Sequence, residues 1–149
     1  LKKLLKDIGW AAMSTDAGST SPLYGSFFVG MSKAVPDDGP IDCAAFAAMI
    51  EAGVAKLRKN SQADVGDKTM IDALVPAVEA IRAAANAGKN ILEALADGVE
   101  AAAKGAESTK DMKAVFGRAK NVGERSIGHM DPGAASMTIL FTGLMKGLE

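Results

Sequence analysis

The chain is poor in aromatics, 5% of 149 residues, and has one cysteine, one histidine, one tryptophan and one tyrosine. One thiol cannot close an internal disulfide. Cys43, set in an apolar helical run, reads as a small core residue in a reducing compartment. His129 stands alone, which excludes a His/Cys zinc cluster, and no metal ligand set is assigned to this chain. Few aromatics and no strand-like alternation speak against a β-sandwich or β-barrel. No apolar run approaches membrane length and no signal peptide is visible, so the expectation is a cytoplasmic protein without a membrane partner. Lys and Arg number 17 against 18 Asp and Glu, a net charge of −1 that offers no nucleic-acid surface. Internal repeats and low-complexity tracts are missing. So are the Gly-x-x-x-x-Gly-Lys-Ser/Thr phosphate loop, a Gly-x-Gly-x-x-Gly after a strand, and a nucleophile elbow. Residues 66–69, Gly-Asp-Lys-Thr, echo the first of these only faintly.

What is present is 48% hydrophobic residues, much of it alanine, the composition of helices packed closely through small side chains. Apolar residues at helical spacing divide the chain into six helices. The fold class is all-α, an up-and-down antiparallel helical barrel or bundle of amphipathic helices, taken as a single domain over 1–149. The first helix carries Leu1, Leu4, Leu5, Ile8 and Ala12, runs to about Thr15 and ends at Ala17-Gly18. No capping residue precedes it, so the natural polypeptide is expected to continue upstream with further helices. The second has Ser21 as N-cap and Pro22 at the first helical position, and carries Leu23, Phe27, Phe28 and Met31. The third covers 42–59, with Phe46, Ile50, Val54 and Leu57 on one face. Asp67 is the expected N-cap of the fourth, whose stripe of Ile71, Leu74, Val75, Val78 and Ile81 should kink at Pro76. The fifth follows Gly88. Residues 108–130 read as irregular, with a short helix near 111–115. Trp10 and Tyr24 read as packing residues, and Asp37-Asp38 as a solvated turn.

The stretch 123–134, Gly-Glu-Arg-Ser-Ile-Gly-His-Met-Asp-Pro-Gly-Ala, feeds into the sixth helix. Asp131 reads as its N-cap and Pro132 as its first residue, with the amides of Gly133 and Ala134 uncovered behind them. A helix start with bare N–H groups and a positive dipole end binds anions, phosphate above all. Arg125 just upstream could clamp a phosphate. Short turns make neighbouring helices antiparallel, so the starts of the second, fourth and sixth helices share one rim. Residues 18–22, 66–70 and 131–134 would then converge beside Arg125 as a polyphosphate pocket.

Three motifs, Gly-Ser-Thr-Ser-Pro-Leu-Tyr-Gly at 18–25, Gly-Asp-Lys-Thr-Met-Ile-Asp at 66–72 and the stretch 123–134, resemble the nucleotide-binding L subunits of dihydroxyacetone kinases. They occur in that family's order, and the resemblance covers essentially the whole chain. The Gly-Glu-Arg-Ser-Ile-Gly-His form looks closer to the phosphotransferase-system-linked subunit than to the fused ATP-dependent kinase. The resemblance implies bound ADP that a phosphoprotein of the phosphotransferase system charges to ATP. The phosphoryl group then passes to dihydroxyacetone on a separate K subunit. It also implies that Gly18, Ser19 and Thr20 lie along the nucleotide, that Met70 packs on the base, that Arg125 meets the phosphates, and that Asp131, Pro132 and Gly133 close the site. The family's Mg²⁺ ligands lie on an aspartate-rich loop expected upstream of Leu1. Residues 1–149 alone are therefore expected to bind Mg-ADP poorly. The alternatives are the nucleotide domain of an ATP-dependent dihydroxyacetone or fatty-acid kinase, or a non-catalytic helical module holding a lipid or a partner helix.

Overall fold

The computed structural model describes residues 1–16 and 18–148. The α-helices are α1 (Lys2–Met13), α2 (Thr20–Lys33), α3 (Cys43–Arg58), α4 (Ile71–Asn86), α5 (Ile91–Ser108) and α6 (Pro132–Lys146), with 3-10 segments at Thr109–Asp111 and Arg118–Ser126. There is no strand among the described residues, and none of their helices is long and apolar enough to cross a membrane. The all-α expectation holds. The chain divides into two compact units, Leu1–Gln62 and Ala63–Glu149.

In the first unit α1 packs on α2 and α2 on α3. The first pair meets at glycines: a Cβ on Gly9 would lie 2.8 Å from Gly25 O, and one on Gly25 2.6 Å from Gly9 O. Gly9 also faces Val29 and Gly25 faces Met13, so the two helices run antiparallel. Gly30 lies against Gly53, and Asn60 Nδ2 donates to Ser26 Oγ at 2.6 Å, which makes α2 and α3 antiparallel as well. Phe27, Met31, Met49, Ile50 and Leu57 form this unit's core. Asp42 caps α3, accepting from Ala45 N–H at 2.8 Å.

Several expectations for this unit are corrected. The buried face of α1 is Leu5 and Gly9, one turn apart, whereas Leu1, Leu4, Ile8 and Trp10 are exposed. Close approach through Gly9 decides which face is covered, and Trp10 lies off that face. Cys43 is only half-buried because it opens α3 instead of lying within its core face. The N-cap of α2 is Ser19 and not Ser21, and it makes no side-chain cap hydrogen bond. Pro22 sits in the first turn, where a missing N–H costs nothing. Helix α1 ends at Met13; Ala17, placed at its expected end, lies outside the described residues.

In the second unit α5 packs along α4, and α6 packs against both. Gly98 faces Ile81 and Gly105 faces Asp72, so α4 and α5 are antiparallel. Helix α4 continues through Pro76. Proline cannot donate to the carbonyl four residues back, that of Asp72. Gly105 lays its bare Cα against this same carbonyl, and a Cβ there would overlap Asp72 O. Asn90 and Glu93 close α5 with a reciprocal capping box, both bonds at 2.9 Å. Ile71, Leu74, Ile81, Leu95, Met137 and Phe141 are fully buried in this unit.

Replacing a mid-helix glycine by alanine ordinarily stabilises a helix by up to about 1 kcal/mol. Gly105→Ala should instead destabilise by about 1–3 kcal/mol, because the new methyl meets backbone and not a side chain that can swing away. Urea unfolding checks this; a midpoint at or above that of the unsubstituted chain would contradict the packing described.

Candidate functional site

The start of α4 is organised by a carboxylate inside the helix. Asp72, 1% exposed, turns back into the preceding loop: Oδ1 accepts Gly66 N–H at 2.6 Å and Oδ2 accepts Thr69 N–H at 2.7 Å. This corrects the role given to Asp67. Met70 occupies the cap position without a side-chain cap bond, and Asp67 Oδ2 accepts Asp64 N–H at 2.7 Å within the loop. Lys68 lies between the two amides that Asp72 holds. It is the only described non-glycine residue with positive φ, at 60°. Its side chain is buried, and Nζ donates at 2.5 Å both to Thr109 O and to His129 O.

Those two carbonyls belong to the segment that leads into α6. Thr109, fully buried at the end of α5, donates through Oγ1 to Ala106 O at 2.6 Å, and the same oxygen accepts Asp131 N–H at 2.8 Å. Gly128 N–H donates to Lys110 O at 2.7 Å. Ser126 Oγ donates to Gly123 O at 2.7 Å and accepts Ala114 N–H at 3.0 Å. The region expected to be irregular with a short helix near 111–115 is thus two 3-10 segments, the second broken at Gly123 with φ 60°.

Asp131 and Pro132 open α6 as expected, with Asp131 Oδ2 accepting Ala134 N–H at 2.8 Å. The expectation of uncovered amides is corrected for Ala134, whose N–H the Asp131 carboxylate takes. Burial raises the Asp131 pKa above its ordinary value of 3.8; the Ala134 and Gly133 N–H groups and Lys68 oppose the rise, and Asp72 adds to it. Gly133 brings the start of α6 against the start of α4: a Cβ on it would lie 3.3 Å from both the N and the Cβ of Met70. The fourth and sixth helices therefore start side by side. A side chain at 133 would also press on the Asp131 carboxylate, 2.9 Å from the Cβ position.

Met70 is buried. Pro132 is exposed and Asp131 and Gly133 are half-buried. Arg125 is exposed in the Arg118–Ser126 segment, and no other described residue holds its guanidinium by a hydrogen bond or ion pair. Gly18, with φ 69°, Ser19 and Thr20 lead into α2 in the first unit. His129 is exposed, and it is its backbone carbonyl that matters here. Sequence reasoning missed Lys68 and Asp72 as organising residues.

A family model described as the DAK2 domain matches residues 1–146. The chain belongs to the DAK2-domain family. This DAK2 domain is 41% identical over 146 residues to "PEP-dependent dihydroxyacetone kinase 1, ADP-binding subunit DhaL" of Listeria innocua, covering 98% of this chain and 68% of that protein. It is 35% identical over 146 residues to "PTS-dependent dihydroxyacetone kinase, ADP-binding subunit DhaL" of Lactococcus lactis, with the same coverage. Among solved structures it matches the dihydroxyacetone kinase of C. freundii in complex with AMP-PNP and Mg²⁺, with a TM-score of 0.69, 28% identity, and coverage of 99% of this chain and 23% of that one. It thus spans about two thirds of the bacterial relatives and about a quarter of the solved chain.

Two measurements test the geometry of this end of the DAK2 domain. Asp72→Asn leaves one acceptor oxygen for the two N–H groups of Gly66 and Thr69. It should cost about 1–3 kcal/mol in denaturant unfolding; an unchanged midpoint would mean Asp72 does not hold the loop. For Asp131 the folded pKa lies above the unfolded one, so the folded chain binds the proton more tightly. The stability this confers is complete below 3.8 and is lost as pH rises through the folded pKa. Asp131→Asn keeps a capping oxygen without the charge. The unsubstituted chain should lose stability relative to Asp131→Asn as pH is raised across that window, and the opposite slope would contradict the burial described.

Proposed function

We propose that this DAK2 domain is the ADP-binding subunit of a dihydroxyacetone kinase driven by the phosphotransferase system. The observation that supports this most is the meeting, at one end of the second unit, of segments 66–72 and 123–134. They are tied by Lys68 and Thr109 and brought into contact at Met70 and Gly133. A bound nucleotide supplies this subunit with a group that accepts phosphoryl and then passes it on. The chain's own residues hold and orient it. Arg125 meets the phosphates with its exposed guanidinium, and Asp131, Pro132 and Gly133 close the site. Met70 packs on the base. The donor is a phosphoprotein of the phosphotransferase system, the acceptor is dihydroxyacetone on a separate K subunit, and the setting is the cytoplasm. The 149 residues act as a single nucleotide-binding domain.

Two physical points qualify how the site works. The Ala134 amide of α6 is already taken by the Asp131 carboxylate, so the phosphate charge falls chiefly to Arg125, the exposed cation in the motif. No group of three or more His, Cys, Asp or Glu among the described residues is placed to hold a metal ion. The described residues therefore do not fit Mg²⁺ by themselves.

ADP should bind this chain with an affinity that changes little on adding Mg²⁺. Arg125→Ala should weaken ADP at least about tenfold in a chemical-shift titration, the loss of one charge-assisted contact. Unchanged affinity would remove Arg125 from the site, and tight, strongly Mg²⁺-dependent binding would contradict the ligand set described.

A further inference from the structure

A lysine in a polar glycine-containing loop belongs in water, yet Lys68 is 3% exposed. Its backbone is held at φ 60°, a region that side-chain-bearing residues enter at a cost. Both features need compensation, and the ammonium supplies it by donating at 2.5 Å to two carbonyls from separate segments, Thr109 at the end of α5 and His129 two residues before Asp131. Asp72 fixes the amides of Gly66 and Thr69 around it, and Thr109 Oγ1 fixes the Asp131 N–H. One side chain from the 66–72 motif therefore sets where the backbone of the 123–134 motif enters α6. Neither carbonyl comes from Lys68's own loop, so the tie acts across segments and does not merely close a local turn.

We infer that Lys68 is a positioning residue for nucleotide binding, fixing Asp131, Pro132 and Gly133 against Met70 without itself touching the nucleotide. The inference rests on the nucleotide-site reading above. It differs from the part a phosphate-loop lysine plays, since both carbonyl contacts direct this ammonium into the protein.

The test compares Lys68→Gly, which accepts positive φ freely and removes the ammonium, with Lys68→Met, which keeps the backbone cost. In the full 149-residue chain both should lose ADP affinity at least about tenfold. Amide exchange at 129–134 should quicken while α5 is unaffected. Restoring the ammonium should restore binding: in a Cys43→Ala background, Lys68→Cys alkylated in denaturant with bromoethylamine and refolded should regain most of the affinity. Folded Lys68→Gly that binds ADP as the unsubstituted chain does would overturn the inference alone. An unsubstituted chain that binds no ADP would overturn the nucleotide reading and this inference with it. Should neither Gly nor Met variant fold, the ¹⁵N-labelled Lys68 ammonium resonance of the unsubstituted chain decides. It should shift on adding ADP, and an unmoved resonance would count against the role.

Discussion

An ammonium removed from water has to be met by oxygens, and in the second unit that requirement holds the loops together. The oxygens around Lys68 Nζ are main-chain carbonyls from two places far apart in sequence, 109 and 129. Burying a charge is tolerable only with such partners, and breaking a buried set costs more than an exposed ion pair gives. Asp72, Thr109 and Asp131 complete the arrangement, each holding backbone N–H groups of a loop or helix start. The result is a firm polar end on a unit whose interior is otherwise aliphatic and small.

Helix packing delivers the loops to that place. Glycine at 105 lets α5 sit on the first turn of α4, against the carbonyl that Pro76 leaves without its helical donor. This brings the end of α5, and Thr109 with it, beside the start of α4. The 3-10 segments then return the chain to the same end, so that α6 starts beside α4 at Gly133 and Met70. The charge pattern follows: two carboxylates, Asp72 and Asp131, with a cation between loops, and the Arg125 guanidinium exposed nearby in sequence. A further anion brought here is met by Arg125 more readily than by a helix start that already carries its own carboxylate.

Much of this was legible from local signals. Asp131-Pro132 is a cap with the side chain and spacing that a cap requires, and it behaves so. The juxtaposition of the fourth and sixth helix starts followed from alternation of antiparallel helices. What was not legible depends on tertiary contacts. Asp67 looked like the cap because it precedes an apolar stripe, but Asp72 reaches the same amides from inside the helix. Lys68 carries no sequence mark of burial. Trp10 and the Leu1, Leu4 and Ile8 stripe looked like core, yet the face of α1 that packs is the one carrying Gly9. The amide of Ala134 was read as open because a sequence shows a cap residue without showing which N–H group it takes.

The most direct measurement of the central claim is a map of backbone amide shifts as ADP is added to the isotopically labelled chain. The account predicts that the largest changes fall together on residues 66–72, on Arg125 and on 128–134, with Met70 and Gly133 responding at the same ADP concentration. Changes confined to other parts of the chain, or no saturable change in these two segments, would contradict it.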